Sequence, residues 1–415
     1  MKKTFAYFAG IDWASDSYQV CVVDEGGQAL GQKQFLHNGE GIRHCIEWLL
    51  QAAAGEHSAI AVAIEVPHGA MVESLIENNL AVFAINPKQL DRFRDRYTVA
   101  GAKDDSLDAF VLAGSLRTDQ ARFQRVEIDQ PAVLQLREWS RMDQDLQTES
   151  NRLSNQLWEQ LRRYYPQMLQ LSPSAGEPWL WDLLAAVPLP LQAAQLKAAK
   201  VKAILRAHRI RRLTAEQVLE QLRQPALRLA PGAAEAASEH VQILLPRLRL
   251  LKQQRDTAAK RMRSILDELC AAPVEDERRE HRDAEILLSW PGIGPVIAAT
   301  MLAEASQPLR ERDYQALRNY GGAAPVTRQS GKRKVVGMRQ ACNQRLRNAF
   351  YHWSRTSMQN DLRAKQYYTQ QRQRGHSHGR ALRALADRNL AMLISMLKSG
   401  TLFDSTKRGC LAQAS

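Results

Sequence analysis

The chain is poor in the residues that staple or anchor a protein. Its five cysteines (Cys21, Cys45, Cys270, Cys342, Cys410) are scattered, odd in number and never spaced as Cys-x-x-Cys. That pattern excludes a disulfide framework and a zinc-binding set, and points to a reducing, cytoplasmic setting. No apolar run approaches the roughly 20 residues that a membrane span requires. The basic-then-apolar start is interrupted at Asp12, too early for a signal peptide. Aromatic residues make up 7% of the chain, and the few in its last third do not separate DNA from RNA as a stacking partner. At 415 residues the chain is too long for a single core, and two or three domains are expected.

Acidic residues are scarce toward the C-terminus. Residues 1–125 hold 12 Lys/Arg and 16 Asp/Glu, residues 126–279 hold 23 and 19, and residues 280–415 hold 22 and 9. The net charge of +13 therefore matches the excess in the last third alone. An acidic half joined to a basic one points to a polyanion partner served by a metal-binding catalytic half. A generally basic, soluble protein would explain the total but not the asymmetry.

Residues 1–128 read as an α/β domain. Strands are predicted over 5–11, 18–24, 32–36, 60–65 and 81–85, with helices over 39–54 and 70–78. Short turn-rich pieces between the first three strands predict an antiparallel meander, and the later strands alternate with helices as parallel crossover units do. That order is ribonuclease-H-like. Residues 129–275 read as a long-helix region. Trp139, Met142, Leu146, Leu153, Leu157, Leu161 and Tyr164 form one amphipathic stripe of heptad type, and Val241, Leu244, Leu248, Leu251, Ala258, Met262, Ile265 and Leu269 form a second. Periodicity alone leaves a coiled coil, a dimer interface and two core-packing helices all open. An insert at 172–238 lies between them, with a basic helical stretch over 196–212, a capping-box pattern at Thr214 and Gln217, and Gly232 with its following alanines closing the subdomain.

Residues 276–415 read as mainly α. Leu287 to Ala299 run as apolar helix, Pro291-Gly292-Ile293-Gly294 turn and apolar helix, a helix-hairpin-helix pattern in which Gly292 and Gly294 leave amides free to grip a phosphate. An ordinary helical turn is the plainer alternative. Gly and Pro then mark residues 320–334 as a loop. Its basic members Arg328, Lys332, Arg333 and Lys334 suit a nucleic-acid backbone.

Four acidic residues carry the chemistry. Asp12 ends one apolar run and Glu65 another, and a carboxylate there must be paired, solvated or metal-bound. Asp105 and Asp108, three apart, share a helix face; Asp104 with Asp108 would do so too, and spacing does not choose between the pairs. An acidic first turn is also what the helix dipole favours, so the Asp pair by itself reads as a solvated helix start before it reads as a ligand set. Together the four need a counter-charge, which two divalent ions supply in sites built for phosphodiester chemistry. Ser330 in its Ser-Gly context is an ordinary turn residue unless the surrounding cations lower the cost of an alkoxide. No histidine lies near it in sequence to act as a base.

The matching residues Gly10-Ile11-Asp12, Ile64-Glu65, Asn86-Pro87, Ala102-Lys103, Asp105 and Asp108-Ala109 are followed by Pro291 to Pro295, Glu304, Tyr320-Gly321, Ala324-Pro325, Ser330-Gly331 and Leu346-Arg347. In this order and over essentially the whole chain, the sequence resembles insertion-sequence transposases with an N-terminal Asp-Glu-Asp-Asp, RuvC-like domain. That group includes the Piv-type invertases and the bridge-RNA-guided recombinases. The resemblance implies that Asp12, Glu65, Asp105 and Asp108 bind Mg²⁺, as two ions with Mn²⁺ as a substitute, and it prefers Asp105 over Asp104. It also implies Ser330 as a nucleophile toward DNA phosphate, Arg347 among the nucleic-acid contacts, a structured guide RNA, and a homo-oligomer, dimer or tetramer. The sequence departs from the family at Asp104, where a small polar residue is usual, and at Gly321-Gly322, where Gly-Leu is usual. A resolvase-type endonuclease using the metal site alone and an inactive nucleic-acid-binding scaffold are the alternatives.

Overall fold

Alternating apolar residues in the first 85 positions become a mixed sheet in the computed structural model, which describes residues 5–13, 16–66, 69–85, 87–94, 105–127, 129–271, 279–331 and 333–405. The chain divides into two units, residues 1–129 and 130–415. No helix among the described residues is long and apolar enough to cross a membrane.

In the first unit, β1 (Tyr7–Trp13), β2 (Ser17–Asp24) and β3 (Ala29–Leu36) form the expected meander. Then follow α1 (Gly39–Ala52), β4 (Ile60–Ile64), α2 (Ala70–Glu77), β5 (Ala81–Ala84), α3 (Pro87–Arg94), α4 (Asp105–Asp119) and β6 (Gln124–Arg125). The strand order is β3-β2-β1-β4-β5-β6, with β1–β4 and β4–β5 parallel and the other pairs antiparallel. This mixed sheet with helices is consistent with a ribonuclease-H-like fold. Period-two alternation sends Ala9, Ile11, Val20 and Val62 to the face covered by α1 and α2. Phe8, Cys21, Ala61 and Ala63 go to the other face, against Ala109, Leu112, Ala113 and Leu116 of α4.

The second unit is mainly helical. Its helices are α5 (Pro131–Tyr164), α6 (Pro166–Leu171), α7 (Pro178–Ala186), α8 (Ala198–Ala207), α9 (Ala215–Leu222), α10 (Ala233–Ala271), α11 (Arg279–Ser289), α12 (Pro295–Glu304), α13 (Ser306–Arg310) and α14 (Tyr314–Tyr320). A hairpin of β7 (Val326–Ser330) and β8 (Arg333–Gly337) follows, then α15 (Gln344–Asn360), α16 (Leu362–Gln373) and α17 (His378–Ser399). The two long helices are antiparallel neighbours: Asp143 meets Arg255, Glu149 meets Arg247 and Gln156 meets His240. One end of the pair joins α6 to α9 in a first core with Trp179, Trp181 and Leu219. The other end joins α11, α12, α15 and α17 in a second core with Trp290 and Trp353.

Four expectations need correction. The first stripe departs from its predicted line at its start: Met142 is exposed and Trp139 half-buried, while Val133, Leu136, Ser140 and Asp143 take the buried face; Leu153, Leu157, Leu161 and Tyr164 are buried as expected. Asp143 is admitted there because Arg255 pairs with it at 3.0 Å. The basic helix over 196–212 ends at Ala207, where Arg209 adopts a φ of 54°. The alanines after Gly232 open α10 rather than closing the insert. Residues 326–337 are a hairpin, not a loop, because Gly331 takes the left-handed φ of 56° that a two-residue connection demands. The second stripe is buried throughout, and Thr214 with Gln217 forms the expected reciprocal cap.

Candidate active site

The register of β1 on β4 pairs Gly10 with Ala63 and Ile11 with Ile64. One step further, Asp12 and Glu65 stand side by side at the carboxyl ends of two parallel strands. Alternation turns both toward the face that α4 covers. That helix comes very close, since a Cβ on Gly10 would lie 2.0 Å from the carbonyl oxygen of Ala109 and 2.6 Å from the amide of Ala113. Only glycine permits the approach, and it sets Asp108, one residue before Ala109, beside the strand ends. Gln19, the register partner of Asp12, holds the start of α4 through a 3.1 Å hydrogen bond to the Ser106 hydroxyl. Gln32 adds a 3.2 Å bond to the Ser106 carbonyl.

Four carboxylates thus converge from three stretches of chain. Asp108 is buried, Asp12 and Glu65 are half-buried, and Asp105, first residue of α4, is exposed. The crowding registers on Asp12, whose carboxyl is pushed up to about 6 by burial and then by the charges of Asp108, Asp105 and Glu65, against a lowering hydrogen bond from the Trp13 amide. Asp108 does not stand free. Arg94 of α3 donates from Nε to Oδ1 at 2.6 Å and from Nη2 to Oδ2 at 2.8 Å, and from Nη1 to Asp91 at 3.1 Å. Among the described residues no three acidic, histidine or cysteine side chains are gathered tightly enough to hold a metal ion. The donor set is that of a hard divalent cation, all carboxylate oxygen. An ion held by Asp108 would have to displace Arg94 from it. Asp104, the alternative to Asp105, lies outside the described residues, as do Asn86, Ala102 and Lys103.

In the second unit Ser330 ends β7 opposite Arg333, with Gly331 at the tip of the hairpin. The side chains of Arg328, Ser330, Arg333 and Lys334, and all of Lys332, lie outside the described residues. The foot of the hairpin segment is clamped. The Asn343 amide donates to the Tyr320 carbonyl at 2.8 Å, and its side chain caps α15, donates to Glu304 at 2.7 Å and reaches the Tyr320 hydroxyl at 3.2 Å. Arg141 of α5 donates to the other oxygen of Glu304 at 2.9 Å. Burial would raise the Glu304 carboxyl, but these two donors and the charges of Arg141 and Arg345 hold it below its ordinary value. The Pro-Gly-Ile-Gly segment is the turn between α11 and α12. Gly292, with φ 98°, packs where a Cβ would lie 2.9 Å from the Ser357 amide, whereas Gly294 faces open space.

Two family models match this chain: a transposase domain of the IS110 DEDD type over residues 9–166, and the transposase IS116/IS110/IS902 family over residues 284–369. The IS117 mini-circle protein of Streptomyces coelicolor, named as a transposase, is 34% identical over 410 residues, 96% of each chain. The chain belongs to the IS116/IS110/IS902 transposase family. The y4uE protein of Sinorhizobium fredii, also named as a transposase, is 48% identical over 230 residues, which are 55% of this chain and 62% of that one. An insertion element IS116 protein of Streptomyces clavuligerus is 28% identical over 411 residues. Transposases are enzymes that cut and rejoin DNA.

Sequence reading did not find Arg94, Arg141 or Asn343. Each is a polar residue whose partner lies elsewhere in the chain, by 163 positions for Arg141 and Glu304, and no local spacing announces such a pair. Trp13 was also missed. It is 46% exposed beside Asp12 and lies 5.4 Å from the His37 ring.

Proposed function

We propose that this transposase acts as the site-specific recombinase of an insertion sequence, breaking and rejoining DNA with two chemical centres. The first is Asp12, Glu65, Asp105 and Asp108, which would hold two Mg²⁺ ions, or Mn²⁺ in their place. The adjacency of Asp12 and Glu65 at parallel strand ends, with the charges of the other two bearing on Asp12, carries this reading. Bound divalent ions would supply Lewis-acid stabilisation of charge on a phosphodiester. The protein's own part is to converge oxygen donors and to release Asp108 from Arg94.

The second centre is Ser330. Its hydroxyl oxygen bonds to phosphorus, the phosphorus–oxygen bond to one deoxyribose breaks, the serine proton departs and the leaving oxygen takes one up. Arg328, Lys332, Arg333 and Lys334 would offset the charge on the phosphate, and the tip of an exposed hairpin is a position from which a serine can reach DNA. Residues 1–128 are assigned as the RuvC-like catalytic domain, 129–275 as the long-helix region and 276–415 as the serine-bearing domain. The turn from Pro291 to Gly294 is assigned as a helix-hairpin-helix in which Gly294 and the amides of Val296 and Ile297, which no side chain caps, meet a phosphate. A structured guide RNA, homo-oligomer assembly and a cytoplasmic location complete the reading.

A supercoiled plasmid carrying both element ends tests it. Wild type plus Mg²⁺ is expected to yield a protein–DNA adduct that survives denaturing electrophoresis, and both Asp12→Asn and Ser330→Ala to yield none. Strand exchange by Ser330→Ala, with loss in Asp12→Asn, would reject the serine step in favour of a resolvase-type endonuclease. Sequencing nucleic acid that co-purifies with the protein tests the guide: a structured RNA copied from the element's flanks is expected.

A further inference from the structure

A cavity of about 200 Å³ opens in the second unit between the Gly321–Gly322 turn, α15 and the first turns of α17. That is far more than the roughly 10–15 Å³ a single water needs. Phe350 and Leu382, both buried, make its floor, and Tyr351 stands at its edge with 39% of its surface exposed. Arg347 and Arg383 line its wall.

Among the described residues the two arginines have no acidic partner. Arg347 donates to the Gln344 side chain at 3.1 Å and to the carbonyls of Arg339 and Gln340, and among the described residues its buried Nε has no acceptor. Among the described residues Arg383 has no hydrogen bond or ion pair. Burial, then the charges of Arg347 and Arg380, push its guanidinium below the ordinary range. Both Arg380 and Arg383 sit in the first two turns of α17, at the positive end of the helix dipole, where cations are disfavoured. Ser377, the N-cap, makes no side-chain bond to the free amides there. Gly322, at φ 69°, lies against Arg347 so that a Cβ would be 3.1 Å from its Nε, and a Cβ on Gly379 would lie 3.5 Å from Nη1 of Arg383.

Clustered cations at a helix start call for an anion, and an aromatic-floored hollow beside them calls for a flat ring. We propose that the cavity receives one unpaired nucleotide of a nucleic-acid strand, its base against Phe350 and Tyr351 and its phosphate between Arg347 and Arg383. Met338, the residue after β8, also lines the cavity, so a nucleotide seated here lies at the foot of the Ser330 hairpin and would set which phosphate comes to its tip. The proposal rests on the reading that this unit handles nucleic acid.

The test uses the full-length protein without divalent metal and short single strands, one DNA and one RNA of the same sequence, each carrying one 2-aminopurine. Seating should quench the 2-aminopurine, and the arm that quenches names the source. Arg383→Gln should weaken binding by about tenfold, the scale of one charge-assisted phosphate contact, and more than the charge-matched control Arg374→Gln at an exposed site. Leu382→Trp, which fills the hollow without changing charge, should abolish quenching. Tyr351→Ala, at a partly exposed position that does not threaten folding, should reduce it. Absent quenching in wild type, equal losses for Arg383→Gln and Arg374→Gln, or full quenching in Tyr351→Ala would overturn the proposal. Because no strand is cut in this assay, failure of the cleavage reading leaves its outcome untouched.

Discussion

Both carboxylate oxygens of Asp108 are taken up by Arg94, at 2.6 and 2.8 Å. Asp108 is one of the carboxylates whose charge bears on Asp12, and the guanidinium is its counter-charge. Arg94→Gln removes it. Leaving a buried carboxylate without its partner costs about 3–5 kcal/mol, so the metal-free melting temperature should drop. Mg²⁺ or Mn²⁺ should then restore more stability to Arg94→Gln than to wild type. A metal-induced shift no larger than that of wild type would show that Arg94 and the ion do not compete.

Asp12 makes stability depend on pH. Its folded value of about 6 lies above the ordinary 3.8. The folded state therefore holds the proton more tightly, and the charged form weighs against folding. The contribution of this group should worsen as pH rises from about 4 through about 6, and ease in the reverse direction. Thermal melts at about pH 5 and about pH 7.5 should show this difference in wild type and a smaller one in Asp12→Asn, which should also be the more stable at the higher pH. An unchanged profile in the variant would place the titration elsewhere.

Gly10→Ala should be severe. The new methyl meets the backbone of α4 at 2.0 Å, and a helix cannot yield there without leaving the sheet. Overpacking costs about 1–3 kcal/mol in cores that relax, and this position should fall at or beyond the upper end. Denaturant titration of the variant measures it, and a loss under about 1 kcal/mol would mean that α4 shifts freely.

Glu304→Ala should loosen the foot of the hairpin. It strands Arg141 and frees the Asn343 amide group, both of which Glu304 now accepts from. Amide exchange should accelerate over residues 320–343 and along α12, with α6 to α9 unchanged because they pack in a separate core. Uniform acceleration across the unit would instead indicate global destabilisation.

The strand meander, the crossover strands, the second helical stripe and the Thr214 cap were all legible because each is a local pattern. Alternation by two or by three and four records which side of an element faces the core. Legibility stopped where a partner decided the matter. Met142 fits its stripe by spacing, yet the buried face shifts to Asp143 because Arg255, far along the chain, neutralises it. Residues 320–334 look like a loop by composition, yet Gly331 lets Val326–Ser330 pair with Arg333–Gly337 as a hairpin.

Apolar context draws attention to Asp12 and Glu65, since a carboxylate at the end of a buried strand needs a partner, whereas spacing leaves Asp104 and Asp105 open and the family resemblance chooses Asp105. That Asp12 stands beside Glu65 follows from strand register, that α4 reaches both follows from the missing side chain of Gly10, and that Asp108 is already held follows from Arg94. These three are facts of packing between distant segments. Hydrogen bonds and close contacts act over a few ångströms in space, and no distance along a chain encodes them.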